Sequence, residues 1–235
     1  MIEIEALQFA WPRAGRDTLA IDALKIDAGS TVFLHGPSGS GKSTLLGLLA
    51  GVLVAGHGRV SLLGTAWSTL SVAQRDAFRA DHVGYIFQQF NLLPYLNPVD
   101  NVLLPCRFSA LRQQRARARG GAARREAQSL LERVGLAPSH WGRGSAALSV
   151  GQQQRVAAAR ALIGQPEVVI ADEPTSALDA DLRETFMGLL MDECRAAGST
   201  LVFVSHDPRL AERFDRQVSL AAINRAGQSG LAAAA

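Results

Sequence analysis

The sequence has 235 residues, 48% of them hydrophobic and 19% charged, and its 24 Lys and Arg against 21 Asp and Glu give a formal net charge of +3. This composition argues against a chain that is disordered throughout and favours one folded core with a smaller lobe, and the mild positive charge does not by itself indicate a nucleic-acid partner. The longest apolar stretch, Leu45 to Ala55, is shorter than the roughly 20 residues of a membrane-spanning helix, and Met1 to Phe9 lacks the basic region of a secretory signal. We therefore expect a cytoplasmic chain, and the widely separated Cys106 and Cys194 favour reduced thiols over a disulfide framework or a zinc site.

Hydrophobic patterning predicts strands and helices in alternation around a helical insertion. The alternating segment Ile2–Leu7 predicts a half-buried strand, and the apolar segment Thr31–His35 predicts a second strand that leads through a glycine-rich loop into a helix ended by Gly51. Residues 91–164 are mostly helical in pattern and predict the smaller lobe. A later helix is expected from about 180 to 197, and residues 227–235 are expected to fray. Further strands are predicted over Arg59–Leu63, Val83–Phe87, Val168–Ala171 and Leu201–Val204, and this order of elements predicts a mostly parallel sheet.

Positive charge is concentrated between Arg107 and Arg125, where seven arginines occur without an acidic residue. A solvated face of helices and loops is the simpler interpretation of this run. The alternative is contact with anionic lipid headgroups close to a membrane.

A phosphate-binding motif lies between the second predicted strand and the helix that follows it. The segment Gly36-Pro37-Ser38-Gly39-Ser40-Gly41-Lys42-Ser43 matches G-x-x-x-x-G-K-[ST] in full, and Thr44 continues it into the helix. Glycines allow successive backbone N–H groups to curl around phosphate oxygens, and the helix start adds partial positive charge. Lys42 is expected to contact the β- and γ-phosphates of a nucleotide, and Ser43 to place its hydroxyl on Mg²⁺. A glycine-rich turn that binds nothing is the alternative.

Two acidic residues end the predicted strand Val168–Ala171. In P-loop enzymes an acid at this point holds Mg²⁺ through water, a role we assign to Asp172, and Glu173 becomes the candidate general base for the attacking water. A solvated strand end is the alternative.

His206 follows the strand Leu201–Val204, where α/β sheets place their ligands, and this position favours a residue that senses the γ-phosphate over a structural histidine.

A further segment narrows the class of P-loop protein. Leu148-Ser149-Val150-Gly151-Gln152-Gln153-Gln154-Arg155-Val156-Ala157 resembles the signature of ABC ATPases, usually written LSGGQ, and it precedes the Asp172-Glu173 strand as in that family. With Gln88 and Asp179 also in register, the sequence is identified as a member of the ABC ATPases over nearly its whole length. Val150 departs from the usual glycine, whereas Gly151 matches the glycine that faces phosphate in the family.

The resemblance implies an α/β fold of the P-loop NTPase ABC type, with a mostly parallel sheet core, an antiparallel β subdomain and a helical subdomain. It implies a single ABC ATP-binding domain over residues 1–235, with a RecA-like core at about 1–87 and 165–225 and a helical subdomain at about 88–164. ATP and Mg²⁺ are the implied ligands, and ATP hydrolysis is the implied activity.

The resemblance also implies that the nucleotide is shared between two chains. Ser149, Gly151 and Gln152 would face the ATP held by a second ATPase subunit, because Ser149 and the N–H groups at the start of the following helix form an anion site. Asp179 belongs to the segment 176–179, which resembles the loop that crosses between subunits.

Two further residues receive a role from the resemblance. Trp11 would stack on adenine, with a packed or surface Trp as the alternative. Gln88 would sense Mg²⁺ and water and would link the ATP site to the helical subdomain. A permease could dock on the apolar residues that follow Gln88, although core packing is an equally good interpretation of them; these are Phe90, Leu92, Leu93, Tyr95 and Leu96.

The segment Phe87-Gln88-Gln89-Phe90-Asn91-Leu92-Leu93-Pro94, with Asn101-Val102, resembles the ATPases of lipoprotein-release and of macrolide- or peptide-export systems, and amino-acid importer ATPases share part of the pattern. The implied partners are integral membrane permeases and a second ATPase subunit in a homodimer, with no nucleic acid, on the cytoplasmic side of the inner membrane.

A soluble ABC ATPase of DNA repair or chromosome handling is a second class, but the sequence lacks the long heptads and zinc cysteines usual there. A translation factor normally carries two cassettes, whereas this sequence has a single P-loop motif.

Overall fold

The computed structural model describes residues 1–176 and 178–226. They form two compact units: the first contains residues 1–79 and those from 203 onward, and the second contains residues 80–202. The expected frayed tail at 227–235 lies outside the described residues. Among the residues described, no helix combines the length and the apolar composition that a bilayer span requires.

The elements alternate between strands and helices along most of the chain. The strands are β1 (Ile2–Phe9), β2 (Leu19–Ile26), β3 (Thr31–His35), β4 (His57–Leu62), β5 (Thr65–Ala66), β6 (Val83–Ile86), β7 (Val168–Asp172), β8 (Thr200–Val204) and β9 (Arg216–Ser219). The helices are α1 (Lys42–Leu49), α2 (Val72–His82), α3 (Pro98–Val102), α4 (Leu104–Phe108), α5 (Ala110–Gly120), α6 (Ala123–Arg133), α7 (Val150–Leu162), α8 (Ala180–Ala197) and α9 (Leu220–Ile223).

A four-stranded antiparallel sheet occupies the first unit, in the order β2-β1-β4-β5. Apolar residues alternate with polar ones over most of β1 and β2, so one face of this sheet is buried. The β1–β4 register shifts between Glu5 and Gln8. At this irregularity a methyl group added to Gly58 would lie 2.2 Å from the Ala6 carbonyl oxygen, so only glycine fits there.

A second sheet has five strands in the order β6-β7-β8-β3-β9. The pairs β6–β7 and β3–β9 are parallel, which confirms the predicted mostly parallel sheet. The strands β7 and β8 are apolar and buried along nearly their whole length, as strands covered on both faces are. The Asp215 carboxylate accepts hydrogen bonds from the Thr31 backbone N–H at 2.7 Å and from the Thr31 hydroxyl at 2.8 Å. These bonds fix the start of β3 beside β9.

Helices α3 to α7 lie in the second unit, within the region whose pattern predicts helices. Ser109 is the N-cap of α5, and its side chain accepts from the Arg112 N–H; the C-cap is Gly121 in the left-handed conformation. The division into core and helical subdomain at about 88 and 164 stays a prediction.

Candidate functional site

The P-loop connects β3 to α1 in the first unit. Gly39 and Gly41 have φ of +76° and +96°, a conformation that L side chains rarely adopt. A methyl group on Gly41 would also lie 2.9 Å from Leu19 Cδ2. Glycine is therefore required at Gly41, the N-cap residue of α1, where it leaves no side chain beside the backbone N–H.

Lys42 lies folded over this loop. Its amine donates hydrogen bonds to the carbonyl oxygens of Gly36, at 2.9 Å, and of Pro37, at 3.0 Å. Ser43 beside it is exposed and Thr44 is buried. The first turn of α1 has no acidic residue. A lysine amine and the N-terminus of a helix whose first turn lacks an acidic residue thus meet at one loop, which is the arrangement that binds phosphate.

His206 belongs to the same unit as the P-loop. It is exposed and follows β8 by two residues. The preceding residue, Ser205, donates its backbone N–H to Leu34 O at 3.4 Å, and its hydroxyl accepts from the Asp207 N–H at 3.1 Å. Because Leu34 lies in β3, the strand that leads into the P-loop, the position of His206 suits a group that contacts a phosphate bound there.

Asp172 and Glu173 lie at the end of β7 in the second unit. Burial first, and the Asp172 carboxylate second, raise the pKa of Tyr85 in the neighbouring strand β6. Glu173 has φ of +45°, a left-handed conformation that costs about 1–3 kcal/mol for a residue other than glycine. The buried Gln154 of α7 supports this turn, since its amide donates to Pro174 O at 2.7 Å. The carboxylate of Glu173 is therefore carried by a strained turn that α7 holds in place.

The signature segment begins α7. Ser149 and Gln152 form a reciprocal capping box, in which the Ser149 hydroxyl accepts from the Gln152 N–H and the Gln152 side chain accepts from the Ser149 N–H. Ser149 and Val150 are exposed, Val150 by 48%. The closest atom to a methyl group added at Gly151 would be 3.8 Å away, so packing within the chain does not require glycine there. The start of the segment is thus capped within the chain and leaves Ser149 and Val150 exposed, as residues that meet another molecule would be.

The three remaining site candidates lie in separate places. Gln88 is exposed and follows β6. Asp179 caps α8, its carboxylate accepting from the Leu182 N–H at 2.9 Å, while Ala177 of the predicted subunit-crossing segment lies outside the described residues. Trp11 is 46% exposed and meets Phe9 edge to face at 5.4 Å. It lines a cleft of about 700 Å³ to which residues 36–44 do not contribute.

The apolar residues after Gln88 divide between core and surface. Phe90 is only 6% exposed, whereas Tyr95 is 76% exposed. Core packing is therefore the correct interpretation for Phe90, whereas docking of a permease at the exposed Tyr95 stays a prediction. The segment after Gln88 is held by Asn101, a residue to which the sequence motifs assigned no such role. Asn101 is fully buried; its side chain accepts from the Leu93 N–H and donates to Leu93 O and to Ser145 Oγ. The sequence offered no clear signal for this role, because Asn101 follows Asp100 in a five-residue helix.

The donor set decides which metal the site suits. No cluster of three or more His, Cys, Asp or Glu residues fit for a metal ion occurs in the described part of the chain. Mg²⁺ is commonly held by one or two protein oxygens together with substrate phosphates and water. Two oxygen donors of the kind that Mg²⁺ accepts are present, the exposed Ser43 hydroxyl in the first unit and the strand-end carboxylate of Asp172 in the second.

The P-loop and the acidic end of β7 place the chain among the P-loop nucleotide hydrolases. A family model described as ABC transporter matches residues 20–176. The chain is 43% identical over 199 residues to the uncharacterized ABC transporter ATP-binding protein YbbA of Escherichia coli (strain K12), a match that covers 84% of this chain and 83% of that protein. It therefore belongs to the ABC transporter family, as an ATP-binding protein that hydrolyses ATP.

Other relatives connect it to export systems and to a solved cassette. The lipoprotein-releasing system ATP-binding protein LolD of Hydrogenovibrio crunogenus is 41% identical, covering 83% of this chain and 82% of that protein. The macrolide export ATP-binding/permease protein MacB of Chromobacterium violaceum is 39% identical, covering 93% of this chain but 33% of that protein. The dimeric ATP-binding cassette MJ0796 bound to ADP and Pi has a TM-score of 0.81 at 33% identity, covering 93% of this chain and 94% of that one. The predicted family, fold class and ATPase activity are confirmed.

Proposed function

We propose that this chain drives conformational change in partner membrane permeases of an export or extraction type. Its relatedness to LolD and MacB supports the export type, since their names state lipoprotein release and macrolide export. The observation that carries the proposal is the phosphate-binding loop of the first unit, with Lys42 folded over it, in a chain that also exposes Ser149 and Val150 of its signature segment. The substrate would be read by the permease, so we assign none.

Within the proposed site, the P-loop N–H groups and Lys42 bind the phosphates of ATP. Lys42 leaves the carbonyl oxygens of Gly36 and Pro37, which it contacts at 2.9 and 3.0 Å, for the β- and γ-phosphates. Ser43, Asp172 and Gln88 would hold Mg²⁺, which neutralises phosphate charge when bound. Trp11 stacks on adenine.

Glu173 and His206 act at the γ-phosphate in this proposal. The Glu173 carboxylate accepts a proton from the attacking water while the water oxygen bonds to the γ-phosphorus and the bond to the ADP oxygen breaks. His206 contacts the γ-phosphate and reports its presence.

A second copy of the chain completes each site. Ser149, Gly151 and Gln152 of one copy would face the γ-phosphate on the other, and Asp179 would lie at the contact between them. MJ0796 forms dimers in solved structures. A closed state that binds ATP better than the open state does work on the permeases, up to the difference in binding free energy. The assembly would lie at the cytoplasmic face of the inner membrane, with the permease beside Gln88.

Replacement of Glu173 by Gln tests the chemistry. The amide cannot accept the proton, so Glu173→Gln should lower the ATP turnover rate by about 10²- to 10⁴-fold while ATP binding stays within about twofold. Turnover is measured by phosphate release and binding by a fluorescent ATP analogue. Glu132→Gln, at an exposed position on α6, is the matched control and should leave turnover unchanged. Turnover at the parent rate in Glu173→Gln would refute the assignment.

A further inference from the structure

The loop that follows Gln88 has an unusual backbone. Phe90 and Asn91 are consecutive residues with φ of +58° and +48°. Side chains other than glycine seldom adopt this left-handed conformation, and it persists only where surrounding contacts hold it. The loop contributes local bonds, from the Phe90 N–H to Phe87 O at 2.9 Å and from the Asn91 N–H to Gln89 O at 2.6 Å.

Arg160 holds both of these residues. One terminal nitrogen of its guanidinium donates to Asn91 O at 2.6 Å, and the other donates to Phe90 O. The planar fork of an arginine suits two adjacent acceptors, which the single amine of a lysine cannot match. Burial lowers the pKa of Arg160 to about 10, so the group remains charged at neutral pH.

Arg160 lies in the last turn of α7, the helix that begins beside Ser149. A helix of this length is a stiff element, so a contact at one end constrains the other. The loop is attached near Ser149 as well. Asn101 donates to Leu93 O at 3.0 Å and to Ser145 Oγ at 2.8 Å, and Ser145 precedes Ser149 by four residues. The segment after Gln88 is thus bonded at the end of α7 and close to its start.

We propose that Arg160 is a positioning residue that makes the loop after Gln88 and the helix α7 move as one body. A displacement of the loop at Gln88 then displaces Ser149 as well, because the loop and α7 do not move relative to each other. This inference rests on the proposed roles of Gln88 and Ser149. Arg160 itself touches neither the nucleotide nor the reacting atoms.

The test compares ATP-driven dimer formation in variants that all carry Glu173→Gln. Arg160→Met removes the guanidinium and keeps the apolar stem, and it should weaken the ATP-dependent dimer by about tenfold. Binding of a fluorescent ATP analogue by the monomer should change by less than about twofold, because Arg160 bonds to Phe90 O and Asn91 O rather than to the P-loop. Arg117→Met is the control, since Arg117 is an exposed arginine on α5 in the same unit. The control dimer should keep the parent affinity.

Two further variants separate positioning from folding. Arg160→Lys keeps the charge but can hold one carbonyl at a time, so its dimer affinity should fall between those of the parent and Arg160→Met. Asn91→Gly, added to Arg160→Met, should recover part of the lost affinity, because glycine adopts the left-handed conformation without the clamp.

The outcomes are distinguishable. A parent Glu173→Gln chain that forms no dimer with ATP would overturn the proposed function. A parent that dimerises while Arg160→Met and Arg160→Lys dimerise equally well would overturn the positioning role alone. Equal loss of analogue binding and of dimerisation, with a lower melting temperature, would assign Arg160 a purely structural role and also overturn the inference.

Discussion

Arg112 is a buried residue in a sequence run whose pattern predicts exposed residues. It belongs to the arginine run for which a solvated face is predicted, yet it is only 2% exposed. Its guanidinium donates to the carbonyl oxygens of Ile163, Ala161, Arg160 and Val83, at 2.7, 2.6, 3.4 and 3.3 Å. Three of these carbonyls lie at the end of α7, so Arg112 caps that helix from α5.

Loss of this cap should destabilise the second unit. Arg112→Met leaves the buried carbonyl oxygens without donors, and we expect the free energy of unfolding to fall by about 2–5 kcal/mol. Denaturant titration followed by circular dichroism measures the change. Arg117→Met, at an exposed position on the same helix, is the control and should change stability by less than about 0.5 kcal/mol. Equal stabilities of the two variants would show that other donors can satisfy the carbonyls.

The rest of the arginine run has mixed surroundings. Arg115 pairs with Glu167 at 2.7 Å, Arg119 with Glu126 at 3.5 Å and Arg124 with Asp100 at 2.9 Å. Arg107 and Arg117 are exposed, as a solvated face requires. The sequence pattern could not distinguish buried, paired and exposed arginines, because each depends on which carboxylate or helix end lies near it on α4, α5 or α6.

At the scale of elements, Glu167 joins α2 and α5 to the start of β7. One carboxylate oxygen lies 2.7 Å from Arg115 and the other 2.8 Å from His82 Nδ1. Burial alone would raise the pKa of Glu167, but the hydrogen bonds from Arg115 and His82 outweigh it and hold the pKa below 4.5. The charged form of Glu167 is therefore stabilised by folding.

The lowered pKa of Glu167 makes its contribution to the free energy of unfolding depend on pH. Because folding lowers the pKa of Glu167, its stabilising effect is present above pH 4.5 and is lost as the pH falls through the lower, folded-state value. Glu167→Gln should reduce the free energy of unfolding at pH 7 and should make its decline below pH 4.5 shallower than in the parent. Urea titrations across that range measure the slope, and Glu132→Gln should keep the parent slope. An unchanged slope in Glu167→Gln would contradict the assignment.

The strength of the apolar pattern decided which elements the sequence could predict. β3, β7 and β8 were found within one or two residues, because each is a short apolar run bounded by polar residues. α2 was missed: Val72 and Phe78 are its only large apolar residues, and none of its residues is buried. β5 was missed because its two residues are too few to show a period. The antiparallel sheet as a whole was expected from the resemblance and not from alternation along β2.

At the scale of the whole molecule, the motif residues were predictable and their assembly was not. The P-loop needs residue types and spacing that a sequence shows directly, and its strand-to-helix context was found where predicted. The role of Ser149 cannot be deduced in the same way, because an exposed helix start identifies neither the molecule that meets it nor the chain that supplies the nucleotide. That assignment came from the family resemblance and remains a proposal, together with the other site roles.

A mixture of two inactive variants tests whether each site is shared between two copies. Lys42→Met disables the P-loop of its own chain, and Ser149→Arg blocks the signature it offers to a partner. In a dimer that contains one of each, one site combines the two defects and the other is intact. Mixing should therefore restore ATP hydrolysis to about a quarter of the parent rate, since half of the dimers are mixed and each has one working site of two.

Phosphate release from equimolar mixtures, at concentrations where the parent chain is active, measures this recovery. Ser149→Arg mixed with the double variant Lys42→Met/Ser149→Arg is the matched control, because every site in its dimers lacks a working signature, and it should show no gain. Activity in the first mixture no greater than the sum of its parts would mean that one chain encloses its own nucleotide. ATP hydrolysis that rises in the mixture of Lys42→Met and Ser149→Arg, and not in the control mixture, requires that Lys42 of one copy and Ser149 of the other act on the same ATP.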